Sequence, residues 1–216
     1  MKITILLYKG FTAMDIISAY EVLCRLPDAE VRFAAKEKGI IESEYASMKM
    51  VATHSLAEIE DADILLVPGS TFAFSQVAKD TEVLQHIRRI DATTQWTVSV
   101  CSGAVILGAA GLLKGKRATT HWAMLERLSQ FGAIPVSQRY VHDGKVITAA
   151  GVSAGTDMAL SLATILEGEE YAKMLQLVIE YFPQPPTEMT KIEEVSGEVK
   201  TDAKMFLKGE IMRMGA

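Results

Sequence analysis

Cys101 stands between an apolar run, Trp96 to Val100, and the small residues Ser102-Gly103-Ala104, which open an Ala/Gly/Leu-rich stretch. Strand, one nucleophile, small residues, then helix is the order of a nucleophile elbow, whose sharp turn lifts the side chain off the sheet. The start of the following helix favours negative charge, and so favours a thiolate over a thiol. The plainer reading of the same residue is a buried structural cysteine, since free cysteine is among the most buried residue types. A working nucleophile also needs an activator, an anion site and a proton donor. Backbone N–H groups of the elbow, together with those after Pro68, can supply the anion site. This makes Gly69, Ser70 and Gly103 candidate oxyanion and substrate-binding residues. Ser102 adds a hydroxyl. Asp15, in FTAMDIISAYEVL, can be the proton donor. A carboxyl set against a thiolate in a place of low polarity has its pKa raised on both counts, stays protonated and can hydrogen-bond to sulfur. An acid in a first helical turn also simply complements the helix dipole, and Asp15 is open to both readings. His121, in Thr119-Thr120-His121-Trp122, follows a strand and opens a helix. It is either a site residue or a histidine satisfied locally, with Thr119 or Thr120 as the N-cap.

These residues must be positioned by the elements around them. Lys2 to Tyr8, Val31 to Ala35, Asp63 to Val67 and Trp96 to Val100 read as buried strands. Helices are expected over Ala13 to Leu26, capped by Thr12, and over a segment that places Val83, Leu84, Ile87 and Ile90 on one face. A helix from Trp122 to Phe131 should end at Gly132, a good C-cap. Residues 40–53 suggest a small hairpin, and residues 134–149 two strands around a His142-Asp143-Gly144 turn. A long helical region from Ser153 to Tyr181 breaks near Gly168. Buried strands alternating with helices imply a parallel sheet covered on both faces, and ligands of such sheets bind beyond the carboxyl ends of the strands. Tyr8-Lys9-Gly10, Pro68-Gly69-Ser70 and the elbow all lie at such ends.

With 216 residues the chain is read as one main domain with an appendage. The formal net charge of −5 argues against a nucleic-acid partner. Two distant cysteines give no disulfide framework, which suits a reducing cytoplasm, and Cys24 reads as packing. The histidines His54, His86, His121 and His142 show no metal-ligand spacing, and there is neither a glycine-rich phosphate loop nor a dinucleotide fingerprint. No metal and no organic cofactor is therefore expected. MKITILLYKG reads as a first strand rather than a signal peptide, and no apolar run approaches the ~20 residues that span a bilayer, so no membrane partner is expected. Residues 187–216 are rich in Glu, Lys, Met and Thr. Ile192, Val195 and Val199 fall at helical spacing, and Phe206, Leu207 and Ile211 extend an apolar face. Either this tail is a helix lying on its own domain or on a partner protomer, or it is a solvated extension.

VPGS at 67–70, the VCSGA elbow, AAGLLKGKRATTHW at 109–122, AAGVSAGTDMAL at 149–160 and QLVIEYFPQPP at 176–186 together resemble the ThiJ/PfpI superfamily. Within it they look most like isonitrile hydratases and the amidotransferase-like domains of certain transcription regulators, although no helix-turn-helix domain is expected here. The resemblance spans residues 1–186. It implies a flavodoxin-like α/β sandwich with a mainly parallel central sheet, and a homodimer. Cys101 then matches the nucleophile, and Asp15 the acid that isonitrile hydratases use. Ser102 falls where those enzymes have threonine. Gly69 matches the first glycine of a PGG loop from which Ser70 departs. The activity implied is addition of water to an isonitrile through a thioimidate on Cys101, with Asp15 relaying the proton and Ser102 helping to hold water. A glutathione-independent glyoxalase recruiting His121 is one alternative. A non-enzymatic sensor in which Cys101 oxidises is another.

Overall fold

A computed structural model describes residues 1–187, 189 and 192–214 of the chain. The order is β1 (Lys2–Leu6), α1 (Ala13–Leu23), β2 (Glu30–Ala35), β3 (Gly39–Glu42), β4 (Lys49–Ala52), β5 (His54–Ser55), β6 (Ile64–Val67), α2 (Phe74–Val77), α3 (Thr81–Asp91), β7 (Trp96–Val100) and α4 (Gly103–Ala109). There follow β8 (Arg117–Ala118), a 3₁₀ helix (Trp122–Phe131), β9 (Ile134–Pro135), β10 (Tyr140–Asp143), β11 (Val146–Ala149), α5 (Ala154–Glu167), α6 (Glu169–Val178) and α7 (Gly197–Met214).

The main sheet has seven strands in the order β10-β11-β7-β6-β1-β2-β5, parallel except for β10 at one edge. Continuous apolar strands mark a sheet covered on both faces, and every residue of β6 is buried. The polar residue Thr97 in β7 is tolerated because its hydroxyl donates to Asp91 at 2.6 Å. α1 packs on α5, which in turn packs on α6, while α4 packs on α2, α3 and the 3₁₀ helix. This is a flavodoxin-like α/β sandwich. From β1 the chain moves outward to β2 and β5, then returns to the opposite side of β1 as β6. The strand order thus reverses at β1/β6, and loops 7–12, 68–73 and 101–102 meet beyond that point.

Several local expectations change. Trp122–Phe131 is 3₁₀ rather than α, although it does end at left-handed Gly132 (φ 72°). Leu128 is its only fully covered side chain, so no apolar stripe imposes a 3.6-residue period. Thr12 makes no side-chain cap; its N–H donates to Gly69 O at 2.9 Å, tying the start of α1 to the β6 loop. Neither Thr119 nor Thr120 caps the 3₁₀ helix, because His121 Nδ1 accepts the Ala123 N–H itself. In the tail, α7 turns Ala203, Leu207 and Glu210 inward and leaves Val199, Met205 and Phe206 exposed, so its covered face is not the one drawn by its largest apolar residues. Tyr45 donates to Glu210 at 2.7 Å, and this contact, rather than an apolar stripe, sets the rotation of the helix.

Candidate active site

The elbow is built by close approach. Cys101 has φ 56°, a left-handed conformation that a non-glycine residue adopts only where its surroundings enforce it. Its N–H donates to Ala149 O at 3.0 Å, and the Thr120 hydroxyl donates to its carbonyl at 2.7 Å. One bond comes from the segment after β8 and the other from the end of β11, so the turn is clamped from outside. Gly103 must lack a side chain because a Cβ there would fall on Val67 O. At Gly69 a Cβ would lie 2.5 Å from Ser102 N, 2.6 Å from Ser102 Oγ and 2.9 Å from Asp15 Oδ2. The β6 loop therefore touches both the elbow and the acid only because position 69 is glycine.

Asp15 lies on the covered stripe of α1 with Ile16, Ala19, Val22 and Leu23, and is itself fully buried. Oδ2 accepts the Gly69 N–H at 2.9 Å, while Oδ1 has no protein partner. Burial pushes this carboxyl up to about 8; the charge of Glu44 adds to the rise, and the Gly69 N–H opposes it. Asp15 stands close enough to Cys101 for its charge to act on the thiol. Burial, then the charge of Asp15, also push the Cys101 thiol well above its ordinary range, against the pull of the Ser102 N–H. Burial thus works against the thiolate that the helix start favours. A short α4 and one amide oppose the loss of solvent around the buried Cys101 only in part. The surroundings favour the neutral form of both groups.

The other predicted residues fall into place unevenly. Ser102 Oγ accepts the Ser70 N–H at 2.8 Å and donates to Ser70 O at 2.7 Å. Its hydroxyl locks the β6 loop to the elbow, with its one proton committed to Ser70 O. Ser70 Oγ accepts the Phe74 N–H at 2.7 Å, starting α2. The Gly69 and Ser70 amides, proposed for an anion site, are already engaged by Asp15 and Ser102, since a buried carboxyl and a buried hydroxyl need partners of their own. His121 is half-buried, its pKa lowered by burial, and it stands in a neighbouring cavity. That cavity, of about 580 Å³, is lined among others by Thr120, His121, Trp122, Leu125, Val152 and Ile192. It adjoins the elbow through Thr120 and through Ala150, which follows the carbonyl that takes the Cys101 N–H.

Sequence reasoning missed Glu44. The β3–β4 hairpin is clipped to the β1 loop by Gly10 N–H to Glu42 O (2.8 Å) and Glu44 N–H to Phe11 O (3.0 Å). Glu44 then accepts the Thr71 N–H at 2.9 Å and stands as a second carboxylate near the pair. Only tertiary pairing brings it there. Tyr8, donating to Pro68 O at 3.0 Å, was read only as part of a strand end. Among the described residues no group of three or more His, Cys, Asp or Glu could hold a metal ion, and no helix is long and apolar enough to cross a membrane.

Fold and site together define a flavodoxin-like α/β protein with a buried cysteine–carboxyl pair at the carboxyl edge of its sheet. The chain belongs to the DJ-1/PfpI family, whose model matches residues 1–165. It is 36% identical over 204 residues to the isonitrile hydratase of Pseudomonas putida, covering 94% of this chain and 89% of that protein. It is 27% identical over 188 residues to protein DJ-1 homolog A of Arabidopsis thaliana, covering 85% of this chain and 47% of that protein. The crystal structure of a ThiJ/PfpI family protein from Pseudomonas syringae aligns with a TM-score of 0.90 at 35% identity, covering all of this chain and 90% of that one.

Proposed function

We propose that the protein hydrates an isonitrile to an N-substituted formamide through a thioimidate on Cys101. The observation that carries this reading is the fully buried Asp15 carboxyl, pushed up to about 8 by burial, beside the buried Cys101. The similarity to an isonitrile hydratase supports it.

An isonitrile is neutral, and its terminal carbon accepts a proton and a nucleophile at the same atom. A neutral acid–thiol pair offers both without first creating an ion in a buried place. Asp15 gives its proton to the carbon, sulfur bonds to that carbon, and the thiol proton returns to Asp15. The product is the thioimidate R–N=CH–S, and the carboxyl is regenerated. Water then adds to the thioimidate carbon while Asp15 relays a proton to nitrogen. The C–S bond breaks, sulfur takes back a proton, and R–NH–CHO leaves. Nothing is oxidised and water is the only co-reactant. No oxyanion need be stabilised, which fits the engagement of the Gly69 and Ser70 amides elsewhere. Ser102 acts as a positioning residue, holding the β6 loop against the elbow.

The alternatives gain less from the geometry. An oxidation sensor needs an accessible thiolate, whereas Cys101 is buried with its thiol raised. A glyoxalase using His121 needs the imidazole at sulfur, whereas His121 lines the neighbouring cavity, of which Cys101 is not a lining residue. The test is formamide release from a cyclohexyl or aryl isonitrile by wild type beside Cys101→Ala, with methylglyoxal consumption in parallel. Formamide from wild type alone is expected. Formamide at an equal rate from Cys101→Ala, or methylglyoxal loss without formamide, refutes the reading.

A further inference from the structure

The cavity beside the elbow has one wall that comes from outside the sandwich. Ile192 and Glu193 face into it from the C-terminal segment. That segment is pinned at three separate places. At the cavity, the Ser137 hydroxyl donates to Glu193 at 2.8 Å. Further along, Lys204 Nζ stands 5.7 Å from the centre of the Trp122 ring, itself a cavity residue. At the far end, the Tyr45 hydroxyl donates to Glu210 at 2.7 Å, and Glu210 is buried. Tyr45 follows Glu44, the carboxylate that holds the Thr71 N–H beside the site. The segment therefore begins as a cavity wall and ends on the hairpin that carries Glu44.

The lining also says what the cavity can take. Trp122, Leu125, Val152 and Ile192 are apolar. Among the described residues of the wall the cation is Arg139, which is ion-paired with Asp157 and so offers little to an anionic substituent. A volume of about 580 Å³ holds a ring-sized group.

We infer that residues 192–214 form part of the substrate site, and that Ile192 sets the largest neutral alkyl or aryl N-substituent the cavity accepts. This rests on the hydratase reading for the substrate but not for the wall. The wall can be read separately, by the access of neutral electrophiles to Cys101.

The experiment uses the full-length protein as wild type, Ile192→Ala, Ser137→Ala and Tyr45→Phe. Alkylation of Cys101 by iodoacetamide and by N-cyclohexylmaleimide is followed by peptide mass spectrometry, which separates it from Cys24. Turnover of ethyl and cyclohexyl isonitriles is measured alongside. Ile192→Ala removes three carbons and should raise the bulky-to-small ratio of alkylation rates, and of kcat/KM, by at least roughly 10-fold, the lower end of what even one methylene in a pocket is worth. Ser137→Ala and Tyr45→Phe each remove one pin and should move both ratios the same way. Unchanged alkylation ratios in all three folded variants overturn the inference, whatever the turnover. Shifted alkylation ratios with no isonitrile turnover by wild type keep the wall and sink the hydratase reading. A purely structural tail would lower the melting temperature and leave the ratios flat.

Discussion

Replacing Asp15 by Asn separates the cost of burying this acid from its use. The folded-state pKa of about 8 stands against an ordinary value of 3.8. Between those values the folded chain holds a proton that the unfolded chain has lost, so stability falls as pH rises, by about 1.4 kcal/mol per unit. The stabilising contribution of the protonated form is fully present below the unfolded value and is lost as pH climbs through the folded one. Over the whole window this amounts to about 6 kcal/mol, and between about pH 5 and about pH 8 to about 4 kcal/mol. Asn resembles the protonated acid in shape and charge, and its carbonyl can still accept the Gly69 N–H. It does not titrate. Asp15→Asn should therefore gain stability over wild type as pH rises, by about 4 kcal/mol between urea melts at about pH 5 and about pH 8. The same variant loses its transferable proton, so formamide release should fall by about 10²–10⁴-fold. A stability difference that does not change with pH would refute the neutral carboxyl. Undiminished turnover would refute its role as the proton donor.

Further outcomes follow from the same geometry. Wild-type turnover should decline above about pH 8, as Asp15 loses its proton; a rate still rising there would argue for a thiolate as the working species. Glu44→Gln removes a charge that pushes Asp15 upward, so the alkaline limb of the pH–rate profile should move to lower pH, while the Gln carbonyl keeps the Thr71 contact. Gly69→Ala places a Cβ 2.5 Å from Ser102 N and 2.9 Å from Asp15 Oδ2. It should cost about 1–3 kcal/mol in a denaturant melt. Displacement of the acid should lower turnover by about 10²-fold.

What was legible in the sequence was what local pattern determines. The buried strands, the 39–52 hairpin, the helix break at Gly168 and the elbow each rest on neighbouring residues. Asp15 carried a further signal, its position on the covered stripe of α1 with Ile16, Ala19 and Val22, where a surface acid has no reason to be. What was not legible depends on how segments meet. Glu44 reaches the site only because the hairpin is clipped to the β1 loop. Ser102 clasps the β6 loop because the Ser70 backbone lies within its reach. The inward face of α7 is set by Glu210 meeting Tyr45, across a sequence distance that no periodicity spans.

The state of the cysteine shows why a motif alone does not give its chemistry. The elbow is local, and the start of α4 does supply an amide to sulfur. The field of a seven-residue helix competes, however, with removal of the thiol from water and with the charge of the neighbouring Asp15 carboxyl. Here burial dominates, and it acts on both members of the pair, favouring the neutral form of each. A pair of this kind is poorly suited to attack that must begin from a free thiolate. It is well suited to a substrate that takes a proton and sulfur at one carbon, because charge need separate only while the bond is forming. On this argument, reaction with small neutral electrophiles that need only a thiolate should be slow at neutral pH and quicken as the pair deprotonates. Isonitrile turnover should run the other way, falling over the same range. Iodoacetamide labelling of Cys101 and formamide release, followed across one pH series, should cross. Parallel curves would mean that a single ionic form does both, and the neutral pair would then not be the working state.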